Sequence, residues 1–171
     1  MPNIRHIPWG DKMGKNCCFT GHRPEKLGIS QERVEAALKR EIHRAVGEGY
    51  TTFLTGMSRG VDLWAARLVL EERRVAPEIR LVCAVPYRGF SDRWSAPWRR
   101  LYREVLEQAA EARVFFPSFS YRAFAVRNRW MVDRADRVIA VYTGCSGGTE
   151  QTLCYARRRG VEVVLLGNSN T

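Results

Sequence analysis

Apolar and polar positions follow one another along the chain in blocks whose period changes. Asn16 to Thr20 is a short apolar run closed by Gly21, which reads as a first strand. Ser30 offers an N-cap, after which Val34, Ala37, Leu38, Ile42, Ala45 and Val46 recur at helical spacing until Gly47 and Gly49 stop them. Thr51 to Thr55 is a second strand, closed by Gly56, and Val61 to Glu72 carries a helical pattern. Beyond the break at Pro77, Ile79 to Val85 is a third strand. A long helix runs from about Pro97 to Ala110, with Ser95 able to cap it and Pro97 tolerated in its first turn. Arg113 to Phe116 is a fourth strand ended by Pro117, Tyr121 to Arg134 a helix, and Arg137 to Tyr142 a fifth strand. Thr149 to Arg159 and Val161 to Leu166 are the last helix and the last strand.

Two strands, Val138-Ile139-Ala140-Val141 and Val163-Val164-Leu165-Leu166, are continuous apolar runs rather than alternating ones. A parallel sheet buried on both faces requires that pattern. Strict alternation of strand and helix with right-handed crossovers predicts an α/β fold. Its form is a Rossmann-like, doubly wound, mainly parallel sheet with helices on both faces. Ligands of such sheets bind at the carboxyl ends of the strands, so function is expected in the turns that follow them.

The chain has 171 residues, 45% of them apolar and 27% charged, which fits one soluble globular domain. The expected organisation is a polar leader over residues 1–15 and one domain over 16–171. No apolar run reaches the length of a membrane span, and Met1 to Lys15 has no signal-peptide core, so the expected compartment is the cytoplasm, with no membrane partner. The five cysteines form no C-x-x-C pair, and no metal site is expected. Adjacent Cys17 and Cys18 would point to opposite faces of a strand. Twenty-eight Lys and Arg against 18 Asp and Glu leave a net charge of +10, nearly all of the cations being Arg. That field favours anionic partners without choosing between nucleotides, nucleic acid, acidic proteins and anionic lipid.

The turns carry the candidate chemistry. After the first strand stand Gly21, His22 and Arg23, a histidine and an arginine able to bind phosphate or move a proton, or simply polar residues ahead of a helix. The second turn holds Gly56, Ser58, Gly60 and Asp62; Asp62 could hold a ribose hydroxyl or a basic partner, or cap the next helix. The fifth turn, Ser146, Gly147, Gly148 and Thr149, runs straight into a helix, so its amides and hydroxyls can cradle an anion unless the glycines only serve the turn. Neither glycine turn is a Walker A or a G-x-G-x-x-G sequence. Arg127 and Asn128 start near the same edge, where the Arg could clamp phosphate. Glu150 either complements the helix dipole or is a carboxylate placed for acid/base work. Tyr87, Phe90, Trp94, Trp98 and Tyr102 gather around the third turn, as core residues or as a stacking surface for a base.

Phe19-Thr-Gly-His-Arg-Pro24, Thr55-Gly-Met-Ser-Arg-Gly-Val-Asp62, Arg127-Asn128 with Met131-Val-Asp133, and Gly147-Gly-Thr149 with Tyr155-Ala156 stand in this order. Together they resemble the YpsA-like family of the SLOG superfamily, which takes its name from Smf/DprA and LOG proteins. The resemblance covers about residues 16–166. It implies a Rossmann-like domain that binds a nucleotide or a derivative at its glycine turns. The Gly56 to Asp62 segment is similar to the S-G-x-A-x-G-I-D turn of DprA proteins, which bind single-stranded DNA. Arg127-Asn128-x-x-Met131 and the Gly148-Thr149 turn resemble the LOG patterns R-K-x-x-M and P-G-G-x-G-T-x-E-E. LOG enzymes hydrolyse the N-glycosidic bond of nucleoside monophosphates with an Arg and a Glu. Here Asn128 replaces the Lys, no Pro precedes the glycines, and Glu150 follows Thr149 directly. One helical position rotates a side chain by about 100°.

Three functions are therefore expected in order. The first is binding of a nucleotide such as NAD, ADP-ribose or a mononucleotide, with phosphate on the glycine turns and charge from Arg127 and Arg23. The second is phosphoribohydrolase chemistry with Arg127 and Glu150 as catalytic residues, Asp62 being the other candidate carboxylate. The third is single-stranded DNA binding driven by charge. Surface helices of doubly wound folds often pair, so a homodimer is a further expectation.

Overall fold

The computed structural model describes residues 14–167. The leader read from the sequence lies almost wholly outside these residues. Six strands and six helices follow one another: β1 (Lys15–Gly21), α1 (Pro24–Leu27), α2 (Gln31–Gly47), β2 (Tyr50–Thr55), α3 (Val61–Glu72), β3 (Arg80–Tyr87), α4 (Ala96–Gln108), β4 (Glu111–Phe116), α5 (Tyr121–Arg134), β5 (Arg137–Val141), α6 (Gly148–Arg158) and β6 (Glu162–Leu166). The strands form one sheet in the order β4-β3-β2-β1-β5-β6, and each neighbouring pair is parallel. This is the doubly wound Rossmann-like fold that the alternation of elements predicts.

The alternation of side chains along each strand sorts the core into two layers. Cys17, Phe19, Phe53, Leu81 and Ile139 pack with residues of α2, α3 and α4, while Cys18, Leu54, Val82, Val138 and Ala140 pack with α5 and α6. Cys17 and Cys18 do face opposite ways, and burial pushes both thiols up from their ordinary value. At the amino ends of the strands Arg137 holds β5 in place. It is bound to Glu48 at 2.6 Å and Glu162 at 2.9 Å and lies 4.5 Å from the Tyr50 ring centre.

Three local features differ from the expectation. α1 is a one-turn helix too short to show a period, ended by Gly28 at φ +63°. β6 is an edge strand rather than one buried on both faces: it has a partner on one side, and Leu165 is 44% exposed. Ser95 precedes α4 without capping it through its side chain, whereas Ser30 and Ser120 accept the amides of Arg33 and Arg122. No helix among the described residues is long and apolar enough to cross a membrane.

Candidate functional site

The first three crossovers carry the chain from β1 outward to β4, and the next returns it to the other side of β1. The winding direction thus switches between β1 and β5, the place where doubly wound sheets open a crevice. A cleft of about 580 Å³ lies along that carboxyl edge, a size suited to a small-molecule ligand. It brings together Gly21, His22, Arg23, Ser58, Asp62, Arg127, Asn128, Ser146, Gly147, Gly148 and Thr149 from the sequence-derived set. Gly56 and Gly60 are not among its lining residues. Arg23, Lys26, Arg59 and Arg127 supply positive charge, and Asp62 is the one carboxylate among the described residues lining it.

The turn after β2 is closed upon itself. Thr55 Oγ1 donates to the Asp62 carbonyl at 2.9 Å and accepts the Met57 amide at 3.3 Å, while the Ser58 amide donates to Asp62 Oδ2 at 3.2 Å. Met57 is fully buried at φ +62°, a left-handed conformation that an unbranched side chain adopts only where packing holds it. Arg127, 4% exposed, donates through Nη1 to the Gly56 carbonyl, and its guanidinium lies 5.7 Å from the Phe124 ring centre. A Cβ at Gly56 would stand 2.5 Å from Arg127 Nη1 and 2.8 Å from Asp62 Oδ2. Gly56 is therefore what lets Arg127 and Asp62 close over the backbone. Gly60, at φ +90°, and Gly21, whose Cβ would stand 2.5 Å from Val61, are likewise fixed by close approach.

Burial and charge act in opposite senses on this pair. Burial raises the Asp62 carboxyl, and Arg127 and the Ser58 amide pull it back down. Burial lowers the Arg127 guanidinium, Asp62 opposes that shift, and Arg23 adds to it. Asp62 is not an N-cap: it sits at the second helical position of α3, whose cap residue is Gly60.

The turn after β5 is open. Gly144 and Gly147 take φ of +90° and +146°, and a Cβ at Gly147 or Gly148 would meet nothing within 4 Å. No side chain caps α6, so its leading amides stay available to a group in the cleft. Nearby, His22 packs its ring 5.4 Å from that of Tyr142. Burial, with Lys26 adding to it, lowers the His22 pKa from its ordinary value, which favours the neutral imidazole. His22 Nε2, Arg127 Nε and Thr143 Oγ1 are buried without a hydrogen-bond partner. Such atoms are uncommon in folded proteins, and Glu41 Oε2 and Arg137 Nη1 are further ones away from the cleft.

Glu150 lies elsewhere. It is half-buried in the first turn of α6 and lines a separate groove of about 330 Å³ with Arg129 and Tyr155 from α5 and α6. Asn128 borders both cavities, but Arg127 and Glu150 do not share one. Among the described residues no three His, Cys, Asp or Glu side chains are grouped to hold a metal.

The far end of the cleft is aromatic. Tyr87 ends β3 and Phe90 and Trp94 follow it, while Phe119, Tyr121 and Phe124 follow β4. Trp98 and Tyr102, grouped with these in sequence, instead pack inward against Trp64 and Trp94, with ring centres 6.0 and 5.5 Å apart. Phe119, Tyr121, Phe124 and Lys26 escaped the sequence reading. Their signal was position alone: each flanks a turn at the carboxyl edge.

A family model described as the YspA SLOG family matches residues 17–159. The chain belongs to the YpsA family. Among similar proteins, a UPF0398 protein of Bacillus velezensis is 27% identical over 136 residues, covering 75% of each chain. One of Bacillus thuringiensis is 26% identical over 157 residues, 87% of this chain and 85% of the relative. The fold is similar to that of DNA processing protein A (DprA) from Helicobacter pylori, with a TM-score of 0.65 at 14% identity over 90% of this chain. DprA from Streptococcus pneumoniae gives 0.64 at 16% over 91%, and the protein TM1055 gives 0.59 at 19% over 91%. The chain spans about half of the pneumococcal protein, 65% of the Helicobacter one and 76% of TM1055.

Proposed function

We propose that this YpsA-family protein binds a nucleotide or nucleotide derivative in the cleft at the carboxyl edge, with phosphate at the head of α6. The observation that carries this reading is the uncapped start of α6 behind Gly147 and Gly148, open to a cleft lined by four cationic side chains. Backbone amides and the helix dipole favour an anion there, and the guanidinium groups of Arg127 and Arg23 add charge. Neutral His22 contributes a hydrogen bond rather than charge. NAD, ADP-ribose and mononucleotides all present this chemistry.

The test is thermal unfolding of the purified protein against a panel of these nucleotides. A ligand at about 100 times its dissociation constant adds roughly 2.7 kcal/mol, which in a chain of this size raises the midpoint by roughly 5–10 °C. Gly148→Leu removes the shift without lowering the unliganded midpoint, because the new side chain enters open space. An undiminished shift in that variant refutes the phosphate assignment.

A second reading is single-stranded DNA binding. Its support is the net charge of +10 and the fold shared with a DprA protein whose description names a single-stranded DNA binding mode. It predicts an affinity that falls steeply with salt, unlike that of an enclosed small ligand. The hydrolytic reading has less support. Glu150 opens to another groove, and Asp62, which lines the cleft, is engaged by the Ser58 amide and the charge of Arg127.

A further inference from the structure

The two ends of the cleft differ in chemistry and lie several strands apart. The anion-binding turn follows β5, whereas the aromatic wall follows β3 and β4, with β1 and β2 between them. Neighbouring strands are about 4.8 Å apart, so three spacings separate β5 from β3 by roughly 14 Å and four separate it from β4 by roughly 19 Å. A nucleoside monophosphate hangs its base and its phosphate from one ribose and falls short of that span. We propose that the ligand is a nucleotide carrying two or more linked phosphates, lying along the sheet edge with its base at the aromatic end. This rests on the nucleotide reading above and adds the ligand's length and its direction.

The aromatic end has the form of a base subsite. The Tyr87 ring meets Phe90, Phe119 and Phe124 edge-on, with centres 5.2, 5.5 and 6.0 Å apart, which holds it rigidly. Yet Phe119 remains 54% exposed and Tyr121 85% exposed. Exposed aromatic rings beside a cleft offer faces that a base covers by stacking. Arg127 lies over the Phe124 ring and lines the same cleft as the head of α6, so it is the cation assigned to the linking phosphates. The polar and aromatic ends thus need one ligand with both kinds of group, separated by more than one sugar.

The experiment compares AMP, ADP, ADP-ribose and inorganic pyrophosphate by calorimetry and by tryptophan fluorescence. ADP and ADP-ribose bind at least tenfold more tightly than AMP. The nucleotides change the emission of Trp94, pyrophosphate does not, and Trp94→Phe abolishes the change. Phe119→Ala, at an exposed position that leaves folding intact, weakens ADP and ADP-ribose by roughly tenfold and leaves pyrophosphate unaffected. AMP binding as tightly as ADP overturns the proposal, as does a Phe119→Ala variant with unchanged ADP affinity. In both cases the nucleotide reading survives. Failure of all four probes removes both, and a short oligothymidylate that outcompetes ADP-ribose reassigns the cleft to single-stranded DNA.

Discussion

The turn from Thr55 to Asp62 and the turn from Gly144 to Thr149 both lead from a parallel strand into a helix at the same edge of the sheet. An added methyl group would meet very different surroundings in them. At Gly56 it would strike Arg127 and Asp62, and at Gly148 it would enter open space. Both turns head helices that no side chain caps, but the first spends the Met57 and Ser58 amides on its own side chains. Glycine therefore permits close packing in one turn and leaves open space in the other. The first contributes through what it holds in place, the buried Arg127.

Breaking the closed turn gives the largest expected effect. Asp62→Ala strips a buried guanidinium of its nearest opposite charge, a change that costs about 3–5 kcal/mol and lowers the thermal midpoint by about 10 °C. Asp62→Asn, which keeps an acceptor for the Ser58 amide, loses less. A midpoint unmoved by Asp62→Ala would show that the pair does not hold the turn.

Substituting one glycine in each turn measures the contrast itself. Gly56→Ala forces Arg127 aside and costs about 1–3 kcal/mol, whereas Gly148→Ala leaves stability within about 0.5 kcal/mol. Chemical denaturation of the two variants side by side reads the difference. Equal losses would erase the distinction between a packed turn and an open one.

The smallest effect is in pH. Burial lowers the His22 pKa below its ordinary 6.5, so the unfolded chain takes up a proton that the folded chain refuses. Stability therefore falls as the pH drops below about 6.5 and levels off once folded His22 is protonated as well. His22→Gln removes that slope from denaturation curves recorded between neutral and mildly acid pH. A slope of the same size in the variant would place its origin in other groups.

Much of the fold is legible in the order of the residues because burial imposes a period. Helical spacing from Val34 to Val46 and the apolar run at Val138 to Val141 mark their elements whatever the rest of the chain does. The run at Val163 to Leu166 looks the same, yet it forms an edge, because the number of neighbours a strand has is a property of the sheet. The one-turn helix at Pro24 to Leu27 is too short to carry a period at all. Within the site, the motif residues around Gly21, Asp62, Arg127 and Gly148 were visible as turn chemistry at the carboxyl ends of strands. The aromatic wall was visible in part: Tyr87, Phe90 and Trp94 share one turn, but Phe119 and Phe124 join them only through the pairing of β3 with β4.

The sequence by itself determined the elements, their alternation and the parallel sheet, since these follow from local periods and from the handedness of crossovers. Only the tertiary structure decided which glycines are closely packed and which face open space. It alone joined Arg127 to Asp62 across two distant segments and turned Glu150 into a different groove. Those outcomes depend on distances between elements far apart in the chain, and no local pattern of residues encodes such distances.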